Sequence, residues 1–348
     1  MSLFKEELNP AQIAAVEYIE GPQIIIAGAG SGKTRVLTYK IAYLLKKNFK
    51  PESILALTFT NKAANEMKER IKELVPKKAD SLWMGTFHST FAKILRIESK
   101  HINYKSNFSI YDTIDSLSLV QNLMAELNID QDKFQAGAIR HRISFVKNHM
   151  ITPEEYRKNF VKSFFDEKVA DVFEQYEKKL FAFNAMDFDD LLLKPIFLFN
   201  EKPAILKKYR TMFEYVLVDE FQDTNKAQYE LLKILVPKNG LISVVGDDAQ
   251  SIYSWRGAQV SNMQDFQKDF SKVKIFKLEQ NYRSTKTILK AADSVIKNNP
   301  NQLEKTLWTD NEEGEQIVLL KCADEKDEAA QIAKYIKQET SKKKLTFK

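Results

Sequence analysis

Eight residues near the start of the chain have the composition of a loop that holds phosphate groups. They are, in order, Ala27, Gly28, Ala29, Gly30, Ser31, Gly32, Lys33 and Thr34. They follow an apolar run and precede a helical pattern, so backbone N–H groups can surround phosphate oxygens at a helix start. Lys33 can reach the β- and γ-phosphates of a nucleoside triphosphate, and the Thr34 hydroxyl can bind Mg²⁺. Ala27 stands where the usual pattern has glycine, which is a small departure.

A phosphate loop of this kind also needs a carboxylate from a neighbouring strand, and the chain offers two. The apolar run at residues 215–218 ends in Asp219 and Glu220. Open α/β sheets bind ligands at the carboxyl ends of their strands, so both acids are expected beside the loop. Asp219 is predicted to hold Mg²⁺, and Glu220 to orient and deprotonate an attacking water.

Strand-like runs alternate with helical stretches around these residues. The candidate strands are residues 24–27, 54–58, 82–84, 215–218 and 241–245, with helices at 33–46 and 61–75. This alternation predicts a parallel sheet with helices on its faces. Between about residues 91 and 188 glycine almost disappears, and amphipathic segments such as 169–181 predict a helical insertion. A helix at 284–297, a strand at 317–320 and a helix from 325 predict further α/β structure.

Composition sets the general class of the protein. The chain has 348 residues, of which 44% are hydrophobic and 29% charged, which suits about two globular domains. A net charge of +6 gives a mild bias toward anionic partners. No uncharged apolar stretch reaches about 18 residues, and the first residues lack a secretory layout, so neither a membrane span nor a signal peptide is expected. Cys322 is the only cysteine, which excludes an internal disulfide and fits the cytoplasm.

Several further segments, in a fixed order, carry a family resemblance. Residues 219–223 read Asp-Glu-Phe-Gln-Asp, and residues 246–257 read Gly-Asp-Asp-Ala-Gln-Ser-Ile-Tyr-Ser-Trp-Arg-Gly. Together they closely resemble superfamily 1 DNA helicases of the UvrD/Rep/PcrA type. Residues 8–12 resemble that family's Q motif, 58–64 motif Ia, 85–89 motif Ib, 187–191 the segment closing the insertion, and 280–284 motif IV. The resemblance covers nearly the whole chain, and the ordered set is highly specific.

The resemblance implies roles around ATP, which with Mg²⁺ is the implied cofactor. Gln12 would read the adenine edge, Tyr282 would stack on the base, and Arg35 would lie near the base or sugar. Arg283 would approach the γ-phosphate, where a guanidinium stabilises developing charge. Gln250 would sense the γ-phosphate and connect it to the DNA site.

A second group of residues predicts contact with an unpaired strand. Tyr253 and Trp255 alternate with small or polar residues, and Arg256 follows at once. Aromatic faces stack on bases without reading sequence, for about 1–3 kcal/mol per base. By resemblance the track also includes Phe59, Asn61, Thr86 and His88. The implied partners are single-stranded DNA and single/double-strand junctions; DNA rather than RNA is implied by the resemblance only, because stacking acts on both.

The resemblance also implies a domain layout. Residues 1–95 and 190–280 would form a RecA-like ATP-binding domain (1A), 96–189 a helical insertion (1B), and 281–348 an incomplete second RecA-like domain (2A). The expected fold class is α/β, a RecA-like P-loop parallel sheet with an inserted all-helical subdomain and a partial second α/β domain. The family's motifs V and VI are not found in this sequence, so this chain alone is expected to bind nucleotide but to hydrolyse ATP and unwind DNA poorly.

The predicted function is an ATP-driven motor that moves along single-stranded DNA and unwinds duplexes, in DNA repair or replication. Its 3′→5′ direction is implied by the resemblance alone. Three alternatives stay open. A P-loop switch would share the nucleotide site but not the aromatic track, and a helicase–nuclease would carry its nuclease after residue 348. A non-catalytic DNA-binding module would need neither Lys33 nor Glu220.

Overall fold

The computed structural model describes residues 4, 6–76, 78–299 and 302–343. Its strands are β1 (Gln23–Ala27), β2 (Ile54–Thr58), β3 (Trp83–Thr86), β4 (Ser109–Tyr111), β5 (Ala185–Asp187), β6 (Tyr215–Val218), β7 (Leu241–Gly246) and β8 (Lys274–Leu278). A parallel sheet has the order β3-β2-β6-β7-β1-β8, and β4 pairs with β5 in a separate small sheet. The predicted α/β class with a parallel sheet is therefore confirmed.

The helices follow the strands closely along the chain. They are α1 (Pro10–Glu17), α2 (Lys33–Lys46), α3 (Asn61–Leu74), α4 (Phe87–Ile97), α5 (Thr113–Glu126), α6 (Ala136–Asn148), α7 (Pro153–Asn159), α8 (Phe164–Ala182), α9 (Asp190–Glu201), α10 (Pro203–Met212), α11 (Lys226–Leu235), α12 (Ser261–Asp269), α13 (Lys286–Ile296) and α14 (Glu325–Lys343). Capping residues set several of the starts: Thr60 accepts a hydrogen bond from the Ala63 N–H at the start of α3.

The large sheet separates two apolar cores, because successive side chains of a strand point to opposite faces. On one face Ile24, Leu55 and Val216 pack among residues of α4, α9, α11 and α12. On the other face Ile25, Ala56 and Leu217 pack among residues of α1, α2 and α3. Burial on both faces explains why these strands read as continuous apolar runs rather than as alternating patterns.

The insertion has an apolar core of its own, built from α5, α6, α7 and α8. It is helical with one correction to the predicted all-helical subdomain. Strands β4 and β5 pair in parallel, with Ser109 opposite Ala185 and Tyr111 opposite Asp187. The chain enters and leaves the insertion side by side here, so two short segments can share hydrogen bonds. Three residues are too few to show a strand period in the sequence.

The part of the chain after β7 departs from the prediction at two strands. Strand β8 pairs with β1 at the sheet edge and was not predicted. Conversely, the predicted strand at residues 317–320 is wrong: the structure has no strand there, and Ile317, Val318 and Leu319 are exposed. A strand needs a hydrogen-bonding neighbour, and none pairs with this segment in the described residues. Helices α13 and α14 lie where helices were expected.

None of the helices in the described ranges is both long enough and apolar enough to cross a membrane.

Candidate nucleotide site and nucleic-acid groove

The predicted phosphate loop joins β1 to α2. Ala27 ends the strand, and Gly30 and Gly32 have φ angles of 67° and 88°, which glycine adopts without steric cost. Gly32 is also the N-cap of α2, and no side chain caps that first turn. The start of α2 can therefore offer its backbone N–H groups and its partial positive charge to an anion. Within the loop, the Ser31 hydroxyl donates to the Gly28 carbonyl at 2.7 Å.

Three of the predicted catalytic residues meet beside this loop. Lys33 Nζ lies 2.9 Å from Glu220 Oε2 and 3.4 Å from Gln250 Oε1. Glu220 is the second residue after β6 and has a φ of 47°, a left-handed conformation that is uncommon outside glycine and typical of functional sites. Gln250 follows β7, and its amide also donates to Asp247. The carboxyl ends of β1, β6 and β7 thus bring a cation, a carboxylate and an amide together.

Asp219 and Thr34 are the predicted Mg²⁺ ligands, and Thr34 is the second residue of α2, directly after Lys33. Asp219 is buried and accepts the Glu220 N–H at 2.9 Å. Burial and then the neighbouring charge of Glu220 raise the pKa of Asp219 to about 7, so a divalent cation would stabilise its ionised form. Among the described residues there is no cluster of three or more metal-binding side chains. Mg²⁺ takes few protein ligands and completes its shell with phosphates and water, so a site with only these two side chains would suit it.

The residues assigned to the adenine end lie around α1 and the start of α2. Gln12 forms a capping box with Asn9, and its amide donates to the Ser31 carbonyl at 2.9 Å. Asn9 also donates to the Tyr282 hydroxyl at 2.8 Å. The sequence placed Asn9 in the Q motif but predicted no separate role for it. Arg35 is exposed beside Glu7, with a 3.8 Å separation between their charged atoms. Base recognition by Gln12, Arg35 and Tyr282 stays a prediction.

The segment after β8 covers the phosphate loop. The Asn281 amide donates to the Ala29 carbonyl at 2.7 Å, and the Tyr282 N–H donates to the Gly30 carbonyl at 2.9 Å. A Cβ placed on Gly30 would lie 2.7 Å from the Arg283 Cβ, so only glycine admits this approach. Arg283 is therefore adjacent to the loop, as its predicted role requires. Asn281 was not singled out from the sequence.

A second connection between this segment and the sheet was also missed. Lys305 Nζ lies 2.9 Å from Asp247 Oδ1 and 2.7 Å from Asp248 Oδ1, and its side chain is only 6% exposed. Burial opposes its charge, but the two carboxylates raise the pKa of Lys305 above its usual value. No local pattern around Lys305 identifies these partners, because they are more than fifty residues away in the chain.

Several of the predicted DNA residues lie in an open cleft of about 500 Å³ between the sheet and the insertion. We call this cleft the groove. Four of them line it: Phe59 after β2, Thr86 at the end of β3, His88 in the first turn of α4, and Trp255. Trp255 is 69% exposed, so its ring is accessible to a base. The Tyr253 ring does not line the groove directly but lies 5.0 Å from the Phe59 ring and 6.4 Å from the Trp255 ring.

The two remaining predicted DNA residues are Asn61 and Arg256. Asn61 is the first residue of α3 and is exposed, but it is not among the residues that line the groove. Arg256 lies in the 3-10 turn Ser254–Arg256, and its side chain is outside the described part of the chain.

The insertion supplies the opposite wall of the groove. Phe188 and Arg140 line it, together with Asn148 at the end of α6. The Phe188 ring lies 5.5 Å from the His88 ring. Burial lowers the pKa of His88 to about 4, so the imidazole is neutral at pH 7 and can stack or accept a hydrogen bond. Phe188 was recognised only within the segment 187–191, and nothing in the sequence pointed to Arg140.

Asp223 and Asn225 complete the groove on the side of the sheet. Asn225 caps α11, and its amide donates to Asn148 Oδ1 at 2.8 Å, which joins the two walls. Burial and then the charge of Glu220 raise the pKa of Asp223 to about 6. The segment that carries the predicted catalytic carboxylate, Glu220, therefore continues directly into the groove.

Two protein-family models match the sequence of this chain. The family model described as the UvrD/REP helicase N-terminal domain matches residues 8–271, and the one described as the UvrD-like helicase C-terminal domain matches residues 276–347. The chain belongs to the UvrD/REP helicase family. The resemblance inferred from the ordered motifs is thereby confirmed.

Individual relatives are similar over nearly all of the chain. The protein named ATP-dependent DNA helicase PcrA of Bacillus subtilis is 47% identical over 342 residues, which are 97% of this chain and 46% of that protein. The PcrA of Staphylococcus aureus (strain Mu50) is 47% identical over 330 residues, 94% of this chain and 45% of that protein. The PcrA of Staphylococcus epidermidis is 46% identical over 348 residues, 99% of this chain and 48% of that protein. The chain spans about half the length of the curated relatives it matches.

Proposed function

We propose that this protein is an ATP-dependent DNA helicase in which ATP hydrolysis drives movement along single-stranded DNA. The observation that carries the proposal is the hydrogen-bonded group of Lys33, Glu220 and Gln250 at one edge of the sheet. Gln250 lies five residues before Trp255, whose exposed ring lines the groove. Relatives named ATP-dependent DNA helicases support the same activity.

At the phosphate end, each residue has a distinct task. Backbone N–H groups from Gly28 to Lys33 surround the phosphates, and Lys33 exchanges Glu220 for a phosphate oxygen. Glu220, released from Lys33, accepts a proton from the attacking water. Arg283 stabilises the charge that develops on the γ-phosphate, and Gln250 contacts it from β7. Mg²⁺ held by Thr34 and Asp219 would supply further neutralisation of phosphate charge.

At the other end of the nucleotide, Gln12, Arg35 and Tyr282 hold the adenine and its sugar. Tyr282 is half exposed, so its ring can be reached from solvent. Its hydroxyl accepts a hydrogen bond from Asn9. The amide of Gln12 offers both a donor and an acceptor, which suits the paired groups on the edge of adenine.

In the groove, the aromatic residues grip an unpaired strand by stacking. Trp255, Phe59 and Tyr253 form a connected row of rings, and Phe188 faces them from the insertion. Thr86, His88 and Asn61 add polar contacts, and Arg256 adds a positive charge. Closure of the cleft around ATP would shift this row along the strand if each nucleotide state makes different contacts.

The finer parts of the function rest on family membership. We propose 3′→5′ movement, action at single/double-strand junctions, a cytoplasmic location, and a role in DNA repair or replication. We also propose the layout 1–95 plus 190–280, 96–189 and 281–348, which the separate apolar cores of the sheet and the insertion support.

The proposal is tested by ATP hydrolysis and strand displacement in the full-length protein, each measured with and without single-stranded DNA. Wild type is expected to show hydrolysis that single-stranded DNA stimulates, and Lys33→Ala to lose it. The exposed Lys202→Ala variant serves as the matched control and should behave as wild type. Hydrolysis without any response to DNA would instead support the P-loop switch, and DNA binding with normal function in Lys33→Ala would support the non-catalytic module.

A further inference from the structure

A buried amide connects three functional segments. Gln222 is 1% exposed and lies in the 3-10 turn Phe221–Asp223, directly after Glu220. Its Nε2 donates to Glu220 Oε2 at 2.9 Å and to Asp223 Oδ2 at 3.1 Å. Its Oε1 accepts the Asp247 N–H at 3.0 Å. Both amide hydrogens and the oxygen are therefore used, each toward a different residue.

The orientation of this amide is determined by its partners. The Asp247 N–H can only donate, so Oε1 must face it, and the NH₂ group must face the two carboxylates. A Cβ on Gly246 would lie 2.7 Å from Gln222 Oε1, so the neighbouring strand end presses against the amide. Asp247 in turn accepts from Gln250, which touches Lys33. Gln222 thus contacts the predicted catalytic group through Glu220 and Asp247.

Asp223 carries this connection to the groove. It lines the groove, while its carboxylate is largely buried and one oxygen, Oδ2, accepts from Gln222. The other oxygen, Oδ1, is buried and has no hydrogen-bond partner among the described residues. A buried carboxylate oxygen without a hydrogen bond costs free energy, so an N–H donor that reached Oδ1 would be bound favourably.

We propose that Asp223 accepts a hydrogen bond from an amino or imino group of an unpaired base in the groove, and that Gln222 transmits this contact to Glu220. A backbone phosphate is excluded as the partner because it offers no donor and repels the carboxylate. When a base engages Asp223, the carboxylate shifts toward it, and the shared NH₂ group moves Glu220 relative to Lys33. Gln222 and Asp223 are positioning residues, and they make hydrolysis respond to an occupied groove through differential contacts.

The inference rests on the proposed function, since it specifies how the groove acts on Glu220. It predicts a thermodynamic coupling that binding measurements detect directly. The affinity for an oligonucleotide of mixed sequence is measured by fluorescence anisotropy in the full-length protein, with and without a non-hydrolysable ATP analogue. The ratio of the two dissociation constants is the coupling factor, which a purely structural role would not change.

Two substitutions test the two steps. Gln222→Met keeps the length of the side chain but removes both donors, and Asp223→Asn removes the charge while keeping the shape. Both variants are expected to reduce the coupling factor at least about fivefold, so that it approaches one. Fivefold is about the lower end of the usual range for coupled sites. Both should also lower kcat in the presence of DNA more than they change KM for ATP, because neither residue is among those assigned to the nucleotide. Asp223→Glu, which restores a carboxylate, should recover part of the coupling.

Matched controls lie on the surface of α12. Gln267→Met and Asp265→Asn make the same chemical changes at residues away from the groove and should retain the wild-type factor. Thermal unfolding identifies any variant that fails to fold, and Asp223→Asn decides the test if the buried Gln222→Met does not fold. Folded variants with a wild-type coupling factor and wild-type DNA stimulation would overturn the inference. A wild-type protein whose hydrolysis ignores DNA would overturn the proposed function, and this inference with it.

Discussion

Two sites in this molecule are built from lysine and carboxylate side chains but differ in how deeply these side chains are buried. In the nucleotide cleft, Lys33 pairs with Glu220, and their side chains are 11% and 36% exposed. At the root of the insertion, Lys147 lies within 3.0 Å of carboxylate oxygens of Glu177, Asp187 and Asp190, and its own side chain is fully buried. Lys33 has a single carboxylate partner near solvent, whereas Lys147 is surrounded by three carboxylates.

The difference shows how burial decides what an ion pair does. Burial opposes the charge of Lys147, but Asp187, Asp190 and Glu177 outweigh it and raise the pKa of the lysine well above its usual value. The buried Lys147 ammonium is not reached by a ligand that could replace its carboxylate partners. Its ion pairs therefore serve to hold α6, α8, β5 and α9 together. Lys33 can leave Glu220 when a phosphate arrives, because both groups reach solvent. Substitutions at the two lysine sites should therefore affect different properties.

The largest expected effect is on catalysis in the cleft. Glu220→Gln keeps the size of the side chain but removes the proton acceptor, so kcat for ATP should fall about 10²–10⁴-fold. The exposed Glu214→Gln, just before β6, is the matched control and should leave kcat unchanged. Steady-state hydrolysis with thermal unfolding checks both. A folded Glu220→Gln variant with normal turnover would show that another group activates the water.

The next effect is on stability at the root of the insertion. Lys147→Met leaves the buried Asp187 carboxylate without its cation, whereas Asp190 and Glu177 keep Lys194. The free energy of unfolding should therefore fall by about 3–5 kcal/mol. Chemical denaturation measures the change, and KM for ATP in the folded variant should stay close to wild type. Lys179→Met breaks only an exposed pair with Glu126 and should cost about 0–1 kcal/mol. Equal losses in the two variants would contradict the distinction drawn from burial.

A smaller effect is expected in the groove. Trp255→Ala removes an exposed ring from the row of aromatic residues, so binding of single-stranded DNA should weaken by about 1–3 kcal/mol. Phe183→Ala removes a similarly exposed ring outside the groove and should bind DNA normally. Fluorescence anisotropy at constant salt gives both values. If the two variants bound DNA alike, Trp255 would have no part in gripping the strand.

The smallest effect concerns His88 and pH. Its pKa in the folded protein is about 4, below the ordinary 6.5, so the unfolded chain takes up the proton first as the pH falls. The folded state therefore loses stability between about pH 6.5 and pH 4 because of this residue. Melting temperatures of wild type and His88→Gln across that window should converge as the pH falls. Curves that stay parallel would mean that the ring is not desolvated by folding.

The sequence by itself determined the parts of this protein whose chemistry is local. The phosphate loop is contiguous, and its glycines are set by left-handed backbone angles at Gly30 and Gly32. The strands of the large sheet are readable because burial on both faces makes them apolar throughout. The acids after β6 and the aromatic row at Tyr253 and Trp255 follow strand ends, which parallel topology brings to one edge.

Tertiary structure alone decided the pairings between distant residues. Asn281 reaches the Ala29 carbonyl across 252 positions of sequence, and Lys305 reaches Asp247 and Asp248. The short strands β4 and β5, the enclosure of Lys147, and the groove wall at Phe188 and Arg140 also depend on where the insertion leaves and rejoins the sheet. Residues 317–320 have strand composition, but no strand in the described part of the chain pairs with them. Local sequence patterns predict which secondary structure and chemistry a segment can form. The residues that it contacts depend on the path of the whole chain.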